Sequence, residues 1–186
     1  MNKNLKSDRN TLAVVWVIFG TLARLIPHAP NMTPTTSIAL FSGSQLGRVL
    51  SFVVSFLTLI ASDLLLAKIT GYPAFGVWSF FTYSGFAAII VAGFWLKANP
   101  SALRTGSYLV ASSLGFWLWT NFGIWITGDH GLYARTFEGL VACYVAALPF
   151  LGNALAGDLI WGSVFFLSFY GVRRLAPRFG ISVQNT

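Results

Sequence analysis

Arg24, Asp63, Asn121, Glu138 and Asp158 stand in or beside long apolar runs, and they are the side chains here best placed to do chemistry. An ionisable or amide group inside hydrocarbon is costly, so each is a candidate for binding or gating until its partner is known. Two carboxylates and one guanidinium admit different arrangements. Arg24 can pair with Asp63 or with Asp158, and such a pair would fix helix register and nothing more. Alternatively all three wall one pocket, where the second carboxylate supplies a spare negative charge for a polar or cationic solute. Asn121 can bind in the same pocket or satisfy broken backbone.

Aromatic residues crowd the same regions. Trp117, Trp119, Phe122 and Trp125 lie close to Asn121, while Trp78, Phe80, Phe81 and Tyr83 lie at the start of another apolar run. Trp and Tyr form belts at both membrane surfaces, which accounts for any one of them. Trp117, Trp119 and Trp125, close to Asn121, could also give a stacking wall for a flat heterocycle, with Trp125 the favoured stacker. His28, His130 and the single Cys143 are too scattered to suggest a metal site, and one cysteine allows no internal disulfide. No Ser/His/Asp order, phosphate-cradling glycine loop or His-Glu-x-x-His motif occurs. The sequence therefore points to no catalytic residue, no metal ligand and no cofactor.

The elements that must hold these groups follow from hydrophobicity. The 186 residues are 55% hydrophobic and only 9% charged, against roughly 25% charged in a soluble domain, so lipid is the expected solvent. The expected fold is an all-α integral membrane protein forming one domain over 1–186. Its spans are about 11–26, 35–47, 49–67, 74–96, 105–127 and 152–172. A basic start and apolar run make residues 1–26 resemble a signal peptide, but Arg24 follows the best cleavage point at once, so a retained first helix is expected. The second segment has 13 residues, about 20 Å of helix, which falls short of a roughly 30 Å hydrocarbon core. The stretch 137–172 is too long for one simple crossing. Pro149 and Gly152 suggest an interfacial or re-entrant piece over 137–149 before the last span. Small residues at Ala39, Gly43, Gly47, Ser51 and Ser55 suit close packing of the second and third spans, or a docking surface.

Basic residues set the orientation. Of twelve Lys and Arg, nine fall on one side of the expected bilayer: Lys3, Lys6, Arg9, Arg48, Lys97, Arg104, Arg173, Arg174 and Arg178. Lys68 and Arg135 fall on the other. Cytoplasmic loops collect Lys and Arg, so both termini are expected inside. The same pattern explains the net charge of +7 without nucleic acid as a partner. On this layout Arg24, Asp63, Asn121 and Asp158 all lie toward the outer surface, although their helices run in different directions.

Several stretches resemble a bacterial family of uncharacterised membrane transport proteins. They are Arg24-Leu25-Ile26-Pro27-His28-Ala29-Pro30-Asn31-Met32-Thr33-Pro34, Ala39-Leu40-Phe41, Ser62-Asp63-Leu64-Leu65-Leu66, Thr120-Asn121-Phe122-Gly123, and Ala142 to Phe150 through Gly157-Asp158-Leu159. More remotely, the layout is similar to the substrate-binding (S) subunits of energy-coupling factor (ECF) vitamin transporters. That resemblance implies a six-helix fold, capture of a vitamin-like or nucleobase-like solute from outside, and an energising transmembrane subunit with ATPases as partner. It also brings the outer loop 28–34, and so His28 and Asn31, into the site, with the loop 68–73 and the outer ends of spans four to six. Where S subunits carry Ala-x-x-x-Ala on the first helix, this chain has Ala13 and Val17. The expected binding set is Arg24, His28, Asn31, Asp63, Asn121, Trp125 and Asp158, in a protein that is not an enzyme. The alternatives are a non-catalytic scaffold subunit of a membrane complex, or a membrane-embedded enzyme using Asp63 and Asp158 as acid and base.

Overall fold

The computed structural model of the chain describes residue 15 and residues 18–25, 29–98, 101–128 and 131–175. Outside these fall His28, His130, most of the expected first span before residue 18, and the basic residues Lys3, Lys6, Arg9 and Arg178. The described residues form α-helices joined by short turns. Residues 18–25 belong to the first, α1, followed by α2 (Thr35–Gln45), α3 (Arg48–Thr70), α4 (Trp78–Ala98), α5 (Ala102–Thr127) and α6 (Phe137–Leu175). Four of them, α3 to α6, are long and apolar enough to cross a membrane.

Helix ends follow local chemistry. Pro34, with its fixed φ, precedes α2, and Ile38 N–H donates to its carbonyl at 2.8 Å. Extended Leu46 and Gly47 turn the chain directly into α3. Gly71 ends α3 in the left-handed conformation, at φ 77°, which costs glycine no side-chain clash. Ser101 caps α5 by accepting from Arg104 N–H at 3.2 Å.

The expected second span is instead a short enclosed helix. Residues Thr35 to Ser44 of α2 are all buried, and α2 packs against α3, α4, α5 and α6. It therefore needs no lipid-crossing length. At its crossing with α4 the two backbones touch. A Cβ on Gly43 would lie 2.3 Å from the Ile90 carbonyl oxygen, and one on Gly93 would lie 2.5 Å from that of Leu40. Helix α1 reaches the same centre through Gly20, where a Cβ would meet Ile38 and Thr58. Phe19 sets its ring edge-on to Trp161 and Phe165 of α6. The small-residue stripe is thus used internally, with Gly43 serving α4, and Ser42 and Ser55 hydrogen-bonding between α2 and α3.

Helix α3 is apolar outside and polar inside. It buries Ser51, Ser55, Thr58 and Ser62, and it exposes Val49, Val53, Leu57, Ile60 and Leu64. Ser51, Thr58 and Ser62 donate to backbone carbonyls, as Thr58 does to Val54 at 2.9 Å, and Ser55 bonds the Ser42 hydroxyl. Such a pattern is favourable where the surrounding solvent is as apolar as leucine, since small hydroxyl residues then permit close helix contact.

Residues 137–175 correct the expectation of a separate interfacial piece. Helix α6 runs unbroken through Pro149 and Gly152 for 39 residues, about 58 Å, more than the roughly 40–45 Å of a whole bilayer. Pro149 offers no N–H to the carbonyl of Val145 and disturbs that turn. A neighbouring helix serves the loosened turn from the side: Trp117 Nε1 donates to the Ala147 carbonyl at 3.0 Å. Proline inside membrane helices is tolerated through such substitutes. Tyr144 adds a bond to the Leu118 carbonyl at 2.9 Å, so α5 and α6 are tied twice in the turn before the proline.

Gly93→Ala is expected to lower the melting temperature of the purified protein, by an overpacking cost of about 1–3 kcal/mol. Gly47→Ala, where an added Cβ meets nothing within 4 Å, should leave it unchanged. Equal melting temperatures for the two variants would contradict the backbone contact between α2 and α4.

Candidate functional site

Arg24 near the end of α1 reaches α3, where its Nη1 donates to Asp63 Oδ1 at 2.7 Å and to Ser62 Oγ. Tyr83 of α4 donates its hydroxyl to the other carboxylate oxygen, Asp63 Oδ2, at 2.9 Å. Three helices therefore meet at one carboxylate. Ring packing aims Tyr83 there, because it stacks on Phe56 at 5.8 Å and leans on Phe75 at 6.4 Å. A buried ion pair needs its remaining lone pairs and protons hydrogen-bonded; Tyr83 donates to the carboxylate and Ser62 accepts from the guanidinium.

The pair is not sealed. The side chains of Arg24 and Asp63 keep 20% and 17% of their surface exposed. They line a cavity of about 240 Å³ together with Thr70, Tyr72, Trp78 and Thr82. Its rim is the turn 71–77 between α3 and α4. Gly76 shapes that rim: a Cβ there would fall 2.0 Å from the Trp78 ring, so only glycine lets the indole lie against the turn. Ser79 fastens the same turn by accepting from Gly76 N–H at 3.0 Å. The result is a polar floor of one cation, one anion and a phenol, walled by aromatic rings and hydroxyls.

Asp158 lies elsewhere. It is 3% exposed and is not among the residues that line the Arg24–Asp63 cavity. Ser113 of α5 donates to its Oδ2 at 2.5 Å, and Ser37 of α2 bonds its backbone oxygen at 3.0 Å and its Oδ1 at 3.5 Å. Thr36 adds a third hydroxyl. The carboxylate thus sits at the first turn of α2, where the helix dipole favours negative charge. Beside it Gly157 packs on Met32, with an added Cβ only 3.0 Å from that Cα. Asp158 ties α2, α5 and α6 together.

The other expected residues are also apart from the cavity. Asn121 donates to the Trp117 carbonyl one turn back, at 2.8 Å, and its own carbonyl faces the Cys143 thiol. Trp125 donates to Ala134 at 3.0 Å, fastening the turn before α6. Asn31 takes a left-handed φ of 64° in an exposed turn, a conformation asparagine tolerates better than most residues. Glu138 is exposed in the first turn of α6, where an acidic group suits the helix dipole. His28 lies outside the described residues. Among those residues no group of His, Cys, Asp and Glu could hold a metal ion.

The structure thus brings together Arg24 and Asp63 of the expected set and joins them to Tyr83, Trp78, Ser62 and Thr82. Tyr83 and Trp78 lie at the outer end of the expected fourth span, where a surface belt already accounts for an aromatic residue. Ser37 and Ser113 carry no sequence signal, since a single serine in an apolar run is ordinary. The spare negative charge expected from two carboxylates is absent from the cavity, because Asp158 is held in a different place.

The described residues form an all-helical architecture with four helices fit to cross a membrane and a small polar cavity among α1, α3 and α4. Residues 4–179 match the model of the family of unknown function DUF6580, and the chain belongs to that family. No curated protein and no solved structure matches it significantly.

Ser113→Ala is expected to destabilise the protein by about 1–3 kcal/mol, the cost of a buried polar group that loses its partner. Thermal unfolding of the purified protein measures this. An unchanged melting temperature would contradict the structural role given to Asp158.

Proposed function

We propose that this chain is a multi-pass transport protein of the bacterial cytoplasmic membrane that captures a small solute from outside in the Arg24–Asp63 cavity. The observation that carries this reading is an open cavity with an ion pair on its floor. A pair serving only helix register could be buried completely. Here the guanidinium and carboxylate border space that a solute can fill.

The volume narrows the solute. About 240 Å³ lies below the roughly 300–1,000 Å³ of pockets for drug-sized ligands, so the cavity suits a single ring. A carboxylate beside a guanidinium presents an acceptor next to donors. That edge complements a ring carrying an N–H beside a C=O, as nucleobases and several vitamins do. Trp78 and Tyr72 supply flat apolar surface for the ring face. Both termini inside, as the basic residues favour, would put the turn 71–77 and the mouth of the cavity on the outer face. The remote likeness to ECF S subunits points the same way. On that likeness an energising transmembrane subunit with ATPases would drive release inward, docking on a surface other than an Ala-x-x-x-Ala stripe of the first helix.

The test is a thermal-shift screen of the purified protein against single-ring nucleobases and vitamins at millimolar concentration. At 100 times its dissociation constant, a solute binding only the folded state adds about 2.7 kcal/mol, a readily measured shift. A compound that stabilises the native chain should fail to stabilise Asp63→Asn or Thr82→Trp, the second of which fills the cavity. Equal stabilisation of the native chain and both variants would overturn the site. No stabilisation by any compound of this class would overturn the solute assignment.

A further inference from the structure

A second cavity, of about 610 Å³, lies between α4 and α5, and nothing in the reading above uses it. We infer that it holds one acyl chain of an anionic phospholipid whose phosphate rests on Arg104.

The lining is apolar and low. Ala88 and Ala92 of α4 and Ala111 and Gly115 of α5 line it, while the Phe116 ring packs on Gly85. Small residues on both helices leave a trough where larger ones would have closed the seam. Trp119 Nε1 donates to Ser84 Oγ at 2.8 Å and closes one end. Trp95 and Tyr108 frame the other end. There Arg104 donates to the Trp95 carbonyl at 3.3 Å and to the Tyr108 hydroxyl at 3.4 Å, with its guanidinium 5.5 Å from the Tyr108 ring centre. From Ser84 to Trp95 is eleven residues, about 16 Å of helix, close to half of a roughly 30 Å hydrocarbon core. The trough is therefore one leaflet deep and ends at headgroup level in a basic and aromatic cluster.

That cluster decides the occupant. Among the described residues Arg104 pairs with no carboxylate, and its Nε is buried without a partner. Lys97, exposed in the last turn of α4, adds a second positive charge at the same end. A lipid tail gains little by leaving other tails for an apolar trough, because both surroundings are equally apolar. Preference must come from the headgroup, and a basic side chain favours one with a net negative charge over one whose ammonium offsets its phosphate. A transmembrane helix of a partner protein would fit the trough but would leave Arg104 without an anion.

Native mass spectrometry of the full chain, exchanged into equal amounts of phosphatidylglycerol and phosphatidylethanolamine, tests this. One bound phosphatidylglycerol in clear excess over phosphatidylethanolamine is expected. Arg104→Gln should cut that preference about fivefold, the contribution of one basic side chain at an anionic surface, while Arg104→Lys retains most of it. Ala92→Leu with Ala111→Leu, which fills the trough, should lose the lipid at an unchanged charge. Lys68→Gln, on the α3–α4 side of the molecule, should change nothing. Equal binding of the two lipids, an Arg104→Gln variant with undiminished preference, or a filled trough that still holds lipid would each overturn the inference. So would a protein subunit that co-purifies and excludes lipid from the trough.

Discussion

The backbone contact between α2 and α4 at Gly43 and Gly93 is the constraint on which the other arrangements rest. Helix α2 is only 11 residues long and has no exposed face, so it can exist only inside a ring of longer helices. Being inside, it can carry serine and threonine on all sides, provided every hydroxyl finds a carbonyl or carboxylate. Ser42, Ser44 and Ser37 do so. The close approach at the two glycines brings α4 near enough for Tyr83 to reach the carboxylate of α3. It also leaves α4 free, on its other side, to form the trough with α5.

Two carboxylates in one apolar chain have been given different tasks by their neighbours. Asp158 meets three hydroxyls and a helix N-terminus and is almost wholly enclosed, so it acts as a joint among α2, α5 and α6. Asp63 meets a guanidinium and a phenol and remains open to a cavity. Their hydrogen-bond partners are separate, which weighs against an acid–base pair drawn from the two. The difference between joint and site lies in access rather than in residue type.

Much of this could be read from residue types, and the failures are physical. The apolar runs of α3, α4 and α5 are legible because lipid demands long uninterrupted helices, and their ends are set by Gly71, Ser101 and Gly128. The enclosed α2 is illegible as such, because a short apolar run looks the same whether protein or lipid surrounds it. Pro149 looks like a break because its missing N–H is visible in the sequence, whereas the Trp117 indole that compensates is 32 residues away. Arg24 and Asp63 stand out through the cost of charge in hydrocarbon. Their partner Tyr83 does not, since a tyrosine near a membrane surface needs no special reason. Depth alone put Asp158 and Asn121 with them, and depth does not reveal which way a helix turns its face.

For the proposed function, water and a solute must reach the Arg24–Asp63 cavity from the outer face. Labelling of a Thr82→Cys variant with a membrane-impermeant maleimide in intact cells tests it most directly, because the native Cys143 is buried and gives little background. Labelling without permeabilisation is expected, while Lys97→Cys is labelled only after the membrane is opened. Labelling of Thr82→Cys only after permeabilisation, or not at all in the folded protein, would contradict it.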